Sequence, residues 1–98
     1  MKRDFKDENF DYLFDAVLTL KTREECYDFF EDLCTIQELK SMAQRINVAK
    51  MLRSNVVYSK ISATTGASTA TISRVNRSLN DYDGTGGYDM VFERLKKD

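Results

Sequence analysis

Residues 58–78 read YSKISATTGASTATISRVNRS, and their spacing predicts two short helices joined by a tight turn. Gly66 suits the left-handed conformation that ends a helix, which disfavours a residue with a Cβ by about 1 kcal/mol. Ser68 has the short side-chain oxygen that accepts a hydrogen bond from a free amide at the start of the next helix. We therefore place a helix-turn-helix, a motif that reads DNA, at about residues 57–79.

The second helix of this pair has two faces of different composition. Ile72, Val75 and Leu79 recur at the i, i+3, i+7 spacing that gives one buried stripe. The other face is made of short or basic residues, which are Thr69, Ala70, Thr71, Ser73, Arg74 and Arg77. Such a face fits a major groove about 12 Å wide and brings hydrogen-bond donors to bases and phosphates.

Charge is sorted along the chain, although its net charge at pH 7 is only -1. Residues 39–80 contain no Asp or Glu, and their basic residues are Lys40, Arg45, Lys50, Arg53, Lys60, Arg74 and Arg77. The acidic residues all lie in the two ends. A purely structural helical hairpin would share the glycine and the apolar spacing, but this basic middle is typical of a segment that meets phosphates.

Size and composition exclude several classes of protein. With 98 residues and 42% apolar content, the chain is expected to form one domain, residues 1–98. Chains of this size bury only about two-thirds of their unfolded surface, so a subunit partner is expected. No apolar run approaches the roughly 20 residues that span a bilayer, and the charged N-terminus does not fit a signal peptide. We therefore expect a soluble, cytoplasmic protein without a membrane partner.

The chain contains no His and two Cys, so neither a metal site nor thiol catalysis has an adequate set of side chains. Its acidic residues form no recognisable catalytic pair. We therefore expect that the protein is not an enzyme.

The rest of the chain also predicts helices, because it has no Pro and no alternation long enough for a strand. Apolar spacing predicts helices at residues 9–20 and 88–97, with a glycine-rich link at residues 80–87. Thr22 with Glu25, and Thr35 with Glu38, form two capping boxes that open a second helix and a third helix ending near Ser54. The apolar stripe expected on the third helix is Leu39, Met42, Ala43, Ile46, Ala49 and Leu52.

Aromatic residues are concentrated near the N-terminus, and they are Phe5, Phe10, Tyr12, Phe14, Tyr27, Phe29 and Phe30. This is more than a small helical core needs. A second chain that covers them would also double the DNA contact, since a two-fold dimer reads two half-sites one helical turn apart. We therefore expect a homodimer.

Residues 33–79, about half of the chain, resemble the Trp repressor family, in particular its short YerC/YecD branch. The most specific part of the resemblance is GASTATISR, residues 66–74, followed by Ser78 and Leu79. The capping box at Thr35 and the position of Arg45 are compatible with it. The resemblance implies an all-α, six-helix fold that forms an intertwined homodimer with shared N-terminal helices.

The resemblance also implies which residues meet DNA. Thr69, Ala70 and Thr71 would meet base edges, whereas Ser73 and the basic residues nearby would meet phosphates. The full expected set of DNA contacts is Arg53, Lys60, Ser68, Thr69, Ala70, Thr71, Ser73, Arg74 and Arg77. Ser59 and Ser62 stand where the family has basic residues, so a different operator is expected.

In the family, a co-repressor is held by residues that correspond to Thr35, Arg45, Arg74 and Ser78. Two guanidinium groups can hold a carboxylate and stack on a planar ring. Alternatively, Arg45 and Arg74 simply belong to the basic DNA face. Val75 replaces a glycine against which the tryptophan indole lies, so a smaller carboxylate or amino-acid ligand, or none, is expected in place of tryptophan.

These observations predict a sequence-specific transcriptional regulator, a repressor that binds a palindromic operator in double-stranded DNA as a dimer. The alternative is a helical protein-interaction adaptor whose basic face meets an acidic protein partner. Salt-sensitive binding to a preferred duplex sequence distinguishes the first from the second.

Overall fold

The computed structural model describes residues 7–80 and 84–96. This part of the chain is helical and has no β-strand, so the all-α prediction is confirmed. The helices are α1 (Glu8–Val17), α2 (Arg23–Leu33), α3 (Ile36–Arg53), α4 (Tyr58–Thr65), α5 (Thr69–Asn80) and α6 (Gly87–Lys96). Among the described residues, no helix has the length and hydropathy needed to cross a bilayer.

The predicted first helix is wrong at its C-terminal end. Asp7 starts α1, because its Oδ1 accepts hydrogen bonds from the amides of Asn9 at 2.9 Å and Phe10 at 3.0 Å. The Leu18 amide still bonds four positions back, to the Phe14 carbonyl, whereas the Thr19 and Leu20 amides bond to carbonyls three positions back, which tightens the chain into a turn. The helix therefore ends three residues before the expected residue 20.

Both capping boxes are confirmed by their hydrogen bonds. The Glu25 amide donates to Thr22 Oγ1 at 3.1 Å, and the Glu25 carboxylate accepts from the Lys21 amide at 2.9 Å. At the start of α3, the Glu38 amide donates to Thr35 Oγ1 at 3.1 Å and the Thr35 amide donates to Glu38 Oε1 at 2.8 Å. Each box satisfies amides that a helix leaves free in its first turn.

The cap of α3 lowers the pKa of Glu38. The Thr35 amide, and then the Thr35 hydroxyl, hold the pKa of Glu38 below its usual value. The contribution of this cap is therefore present above the usual carboxyl pKa and is lost as pH falls through the lowered one. Thr35→Val should raise the Glu38 pKa part of the way, since only the hydroxyl is lost, and NMR titration of the side chain measures it. Thr22→Val, which breaks the other cap, should leave the Glu38 pKa unchanged, and a Glu38 pKa that stays low in Thr35→Val would contradict this account.

The chain divides into two compact units, Lys2–Leu39 and Lys40–Asp98. The buried core lies in the second unit and consists of Val48, Ala49, Ile61, Ala67, Ile72 and Val75. In the first unit, none of residues 7–39 is buried within this chain. The prediction of a single domain over residues 1–98 stays a prediction.

The expected apolar stripe of α3 is partly wrong. Met42 and Ile46 are each 38% exposed, whereas Val48, which was not part of the stripe, is fully buried beside Ala49. The polar Gln44 is half-buried because its Nε2 donates to the Thr65 carbonyl at 3.1 Å. Because Gln44 is polar, the spacing of apolar residues does not show that this side of α3 faces α4.

Helix α6 packs against the core of the second unit through Tyr88 and Phe92. Their rings stack with centroids 6.1 Å apart. The helix begins at Gly87, one residue before the expected start, and residue 97 of the expected range lies outside the described residues, as do residues 81–83 of the glycine-rich link.

Candidate nucleic-acid interface

The turn between α4 and α5 is fixed by hydrogen bonds. Gly66 ends α4 with φ 75, in the left-handed region, and its amide donates to the Ser62 carbonyl at 2.8 Å. The Ser62 hydroxyl donates to the Ala67 carbonyl at 2.8 Å, and the Ala67 amide donates to Thr65 Oγ1 at 3.1 Å. The left-handed stop predicted at Gly66 is confirmed, and the turn holds one geometry.

Ser68 caps the start of α5, as its sequence position predicts. Its Oγ accepts a hydrogen bond from the Thr71 amide at 3.1 Å, and the hydroxyl oxygens of Ser68 and Thr71 also lie 3.1 Å apart. The cap therefore fixes both the direction of the helix start and the side chain of Thr71.

Helix α5 separates a buried stripe from an exposed one. Ile72 and Val75 are 0% and 2% exposed. On the other side, the exposed residues are Thr69, Ala70, Arg74 and Arg77, and Thr71 and Ser73 are half-buried next to them. The face predicted for DNA contact is thus accessible in this chain.

Among the described residues, no carboxylate forms an ion pair with Lys60, Arg74 or Arg77. Within residues 7–80 and 84–96 the only ion pair joins Arg53 to Asp89, so Lys60, Arg74 and Arg77 take part in none. Lys60 is exposed on α4, and the two arginines are exposed on α5. Cations that form no ion pair with the described residues favour an anionic ligand such as a phosphate backbone.

Arg53, by contrast, is engaged within the protein. Its Nε and Nη2 donate to the two carboxylate oxygens of Asp89, each at 2.8 Å. Nη1 donates to Asn80 Oδ1 at 3.0 Å, and Nη2 also donates to the Leu79 carbonyl at 2.8 Å. The expected phosphate contact of Arg53 stays a prediction, and its guanidinium already has protein partners.

The sequence analysis did not identify two residues, Gln44 and Asp89, that hold α4 and Arg53 in place. Gln44 holds the last turn of α4 from 21 residues away, and Asp89 binds Arg53 from 36 residues away. Neither lies in a local motif. Such pairs could be found only from the packed helices, because no short-range spacing marks them.

The residues expected to hold an effector fall in different places. Arg74 and Ser78 line an open cavity of about 920 Å³ together with Tyr88 and the apolar residues Ile46, Met90 and Val91. Arg45 is half-buried and does not line this cavity. Thr35 belongs to the other unit, where it caps α3. The structure therefore brings together two of the four expected residues.

Val75 belongs to the hydrophobic core and does not line this cavity. Its side chain packs among residues such as Ile61 and Ile72 and is 2% exposed. The expectation that Val75 narrows an effector site bounded by Thr35, Arg45, Arg74 and Ser78, and so disfavours tryptophan, stays a prediction.

Comparison with known proteins agrees with this architecture. The sequence model of the Trp repressor family, described as "Trp repressor protein", matches residues 8–96, which include all six described helices. The chain belongs to the Trp repressor family. It is 53% identical to YerC of Bacillus subtilis strain 168, a protein of uncharacterised function, over 92 residues that make up 94% of this chain and 86% of that relative.

Solved structures of the Trp repressor type share the fold. A TrpR-like protein from Eubacterium eligens superposes with a TM-score of 0.90 at 57% identity, covering 97% of this chain and 96% of that one. A candidate Trp repressor from Staphylococcus aureus also has a TM-score of 0.90, at 49% identity, covering 96% and 92% of the two chains. The six-helix, Trp-repressor-like fold expected from the sequence is confirmed.

Proposed function

We propose that this protein is a transcriptional repressor that binds a palindromic operator in double-stranded DNA as a homodimer. The observation that carries the proposal is the exposed face of α5, whose short side chains lie beside cations that no carboxylate in the described residues neutralises. Membership of the Trp repressor family supports the same function. DNA in the cytoplasm is the expected target, and no catalytic role is proposed.

The proposed DNA contacts are of two kinds, contacts with base edges and contacts with phosphates. Thr69, Ala70 and Thr71, in the first turn of α5, would read base edges. The proposed phosphate contacts are Lys60, Ser68, Ser73, Arg74 and Arg77. Phosphate contacts supply most of the affinity, and base contacts select the sequence.

The homodimer is supported by apolar side chains that this chain leaves exposed. Tyr12 and Leu18 are 79% and 80% exposed, and Tyr27 and Ile36 are 67% and 63% exposed. These residues lie in or beside the helices α1 and α2 and at the start of α3, where residues 7–39 contain no buried side chain. A second copy that covers these side chains would supply the missing core.

We further propose that the cavity beside Arg74 and Ser78 receives a small carboxylate or amino-acid effector. A guanidinium and a hydroxyl can hold a carboxylate, and Met90 and Val91 offer apolar contact on the same cavity wall. Tryptophan is expected to bind weakly or not at all, because Val75 stands where the family has a glycine. The role of Thr35 and Arg45 in holding an effector is implied by the family resemblance alone and stays a prediction.

Selection of duplexes from a random library tests the function, with and without a mixture of amino acids. We expect an enriched palindrome with two half-sites one helical turn apart, and we expect the enrichment to depend on the mixture, because it supplies the proposed effector. Capture of no duplex, together with binding to an acidic protein, would support the adaptor alternative instead.

Thr71→Ala and Lys60→Ala should affect DNA binding differently. Thr71→Ala should relax preference at one base-pair position by about 1–3 kcal/mol, because it removes a base contact but keeps the amide that Ser68 caps. Lys60→Ala should weaken all duplexes alike, because a phosphate contact carries no sequence information. Competition binding with the operator and with single-base variants measures both effects. If the two substitutions changed every duplex equally, α5 would not be the reading helix.

A further inference from the structure

Arg53 joins the ends of three helices. It is the last residue of α3, Leu79 and Asn80 are the last residues of α5, and Asp89 lies in the first turn of α6. Its guanidinium donates to all three of these partners at 2.8–3.0 Å. The two parallel bonds to Asp89 form the bidentate arrangement that fixes orientation as well as distance.

The end of α5 needs such a partner. The last four carbonyls of a helix have no amide within the helix to bond, and they carry partial negative charge. Arg53 Nη2 donates to the Leu79 carbonyl, and Arg53 Nη1 donates to Asn80 Oδ1. The Asn80 amide group in turn donates to the Asn76 carbonyl at 3.1 Å, so the side chain of Asn80 is held from both sides.

The charge of Arg53 is largely balanced by Asp89. Hydrogen bonding and charge attraction from Arg53 keep the pKa of Asp89 below its usual range, so the carboxylate is ionised at neutral pH. A guanidinium that already pairs with a carboxylate adds little net attraction for phosphate. This distinguishes Arg53 from Lys60, Arg74 and Arg77, which have no carboxylate partner among the described residues.

We infer that Arg53 and Asp89 are positioning residues for the recognition helix, and that Arg53 makes no phosphate contact. Together they hold the C-terminal end of α5 between the end of α3 and the start of α6, so that the exposed face of α5 meets DNA in one orientation. This inference rests on the proposed function as a DNA-binding regulator.

The decisive variant is Asp89→Asn. Removal of an acidic charge near a DNA-binding surface ordinarily tightens binding, and it would do so here if the substitution freed Arg53 for a phosphate. In our inference it weakens operator binding by about threefold to tenfold, because an exposed bidentate pair contributes modestly and its loss loosens α5. Glu93→Gln is the matched control, since Glu93 is an exposed acid on the same helix that forms no ion pair with any residue the structure describes.

Operator affinity should be measured across a salt series for wild type, Asp89→Asn, Arg53→Lys, Arg53→Ala and Glu93→Gln. Arg53→Lys keeps the positive charge but cannot form the two parallel hydrogen bonds to Asp89. It should therefore weaken operator binding by a similar factor, with an unchanged salt slope. Glu93→Gln should bind at least as tightly as wild type. A salt slope reduced by about one per subunit in Arg53→Ala, or binding by Asp89→Asn that matches or exceeds wild type, would overturn the inference.

A second measurement needs no DNA. Amide hydrogen exchange in the last turn of α5, residues 77–80, should be faster in Asp89→Asn and Arg53→Ala than in wild type, and unchanged in Glu93→Gln. Exchange that is equal in all variants would overturn the positioning role. Failure of the wild-type protein to bind any duplex would instead overturn the proposed function, whatever the exchange rates.

Discussion

Raising the salt concentration from about 50 to about 200 mM is expected to weaken operator binding by a factor of about 10³–10⁵. The basic middle of the chain, residues 39–80, carries seven Lys and Arg residues and no acid, and the proposed homodimer would present this segment twice. About 6–10 phosphate contacts are then reasonable, and each contact releases counterions whose return at high salt opposes binding.

Fluorescence anisotropy of a labelled operator at several salt concentrations gives the slope. Lys60→Ala provides the internal comparison, because the loss of one phosphate contact per subunit should reduce that slope by about two in the dimer. A flat salt response in the wild-type protein would rule out phosphate contact as the main source of affinity. It would direct attention to a protein partner instead.

Ile72→Ala is expected to lower the free energy of unfolding by about 2–5 kcal/mol. Ile72 is fully buried in the core, where it packs with Val48 and Ile61, and it lies on α5, the proposed recognition helix. Truncation to Ala removes buried methyl groups and leaves a cavity that the surrounding helices fill only in part.

Urea denaturation followed by circular dichroism measures this loss. Protein concentration must be matched between samples, because the stability of a dimer depends on concentration. Thr69→Ala is the control on the same helix, and its change should stay within about 0.5 kcal/mol because Thr69 is exposed. A loss below about 1 kcal/mol for Ile72→Ala would show that the core adapts to a smaller side chain better than its burial indicates.

Features that depend on neighbours in sequence could be predicted well. The caps at Thr22, Thr35 and Ser68 each join groups three residues apart, and the left-handed stop at Gly66 follows from the conformational freedom of glycine. The sequence shows both the residue types that form such local hydrogen bonds and their spacing. The turn that presents α5 could therefore be located before its three-dimensional structure was known.

Features that depend on packing could not be predicted in the same way. From the sequence, Arg53 cannot be distinguished from the other basic residues of this segment. Its ion pair with Asp89 forms only in the folded chain. The sequence likewise predicts that Gln44 is an exposed polar residue, whereas in the folded chain its side chain donates a hydrogen bond to α4. The burial of Val75 beside Ile61 and Ile72 also depends on how the helices pack together.

The two stripes of α5 have an evolutionary consequence. The side chains that anchor this helix, Ile72 and Val75, are different from those exposed in its first turn, Thr69 and Ala70. A duplicated gene could therefore exchange the exposed residues and acquire a new target sequence without losing its fold. Under the proposed function, operators can diverge on this scaffold through single substitutions in the exposed first turn of α5, because those side chains are not part of the core.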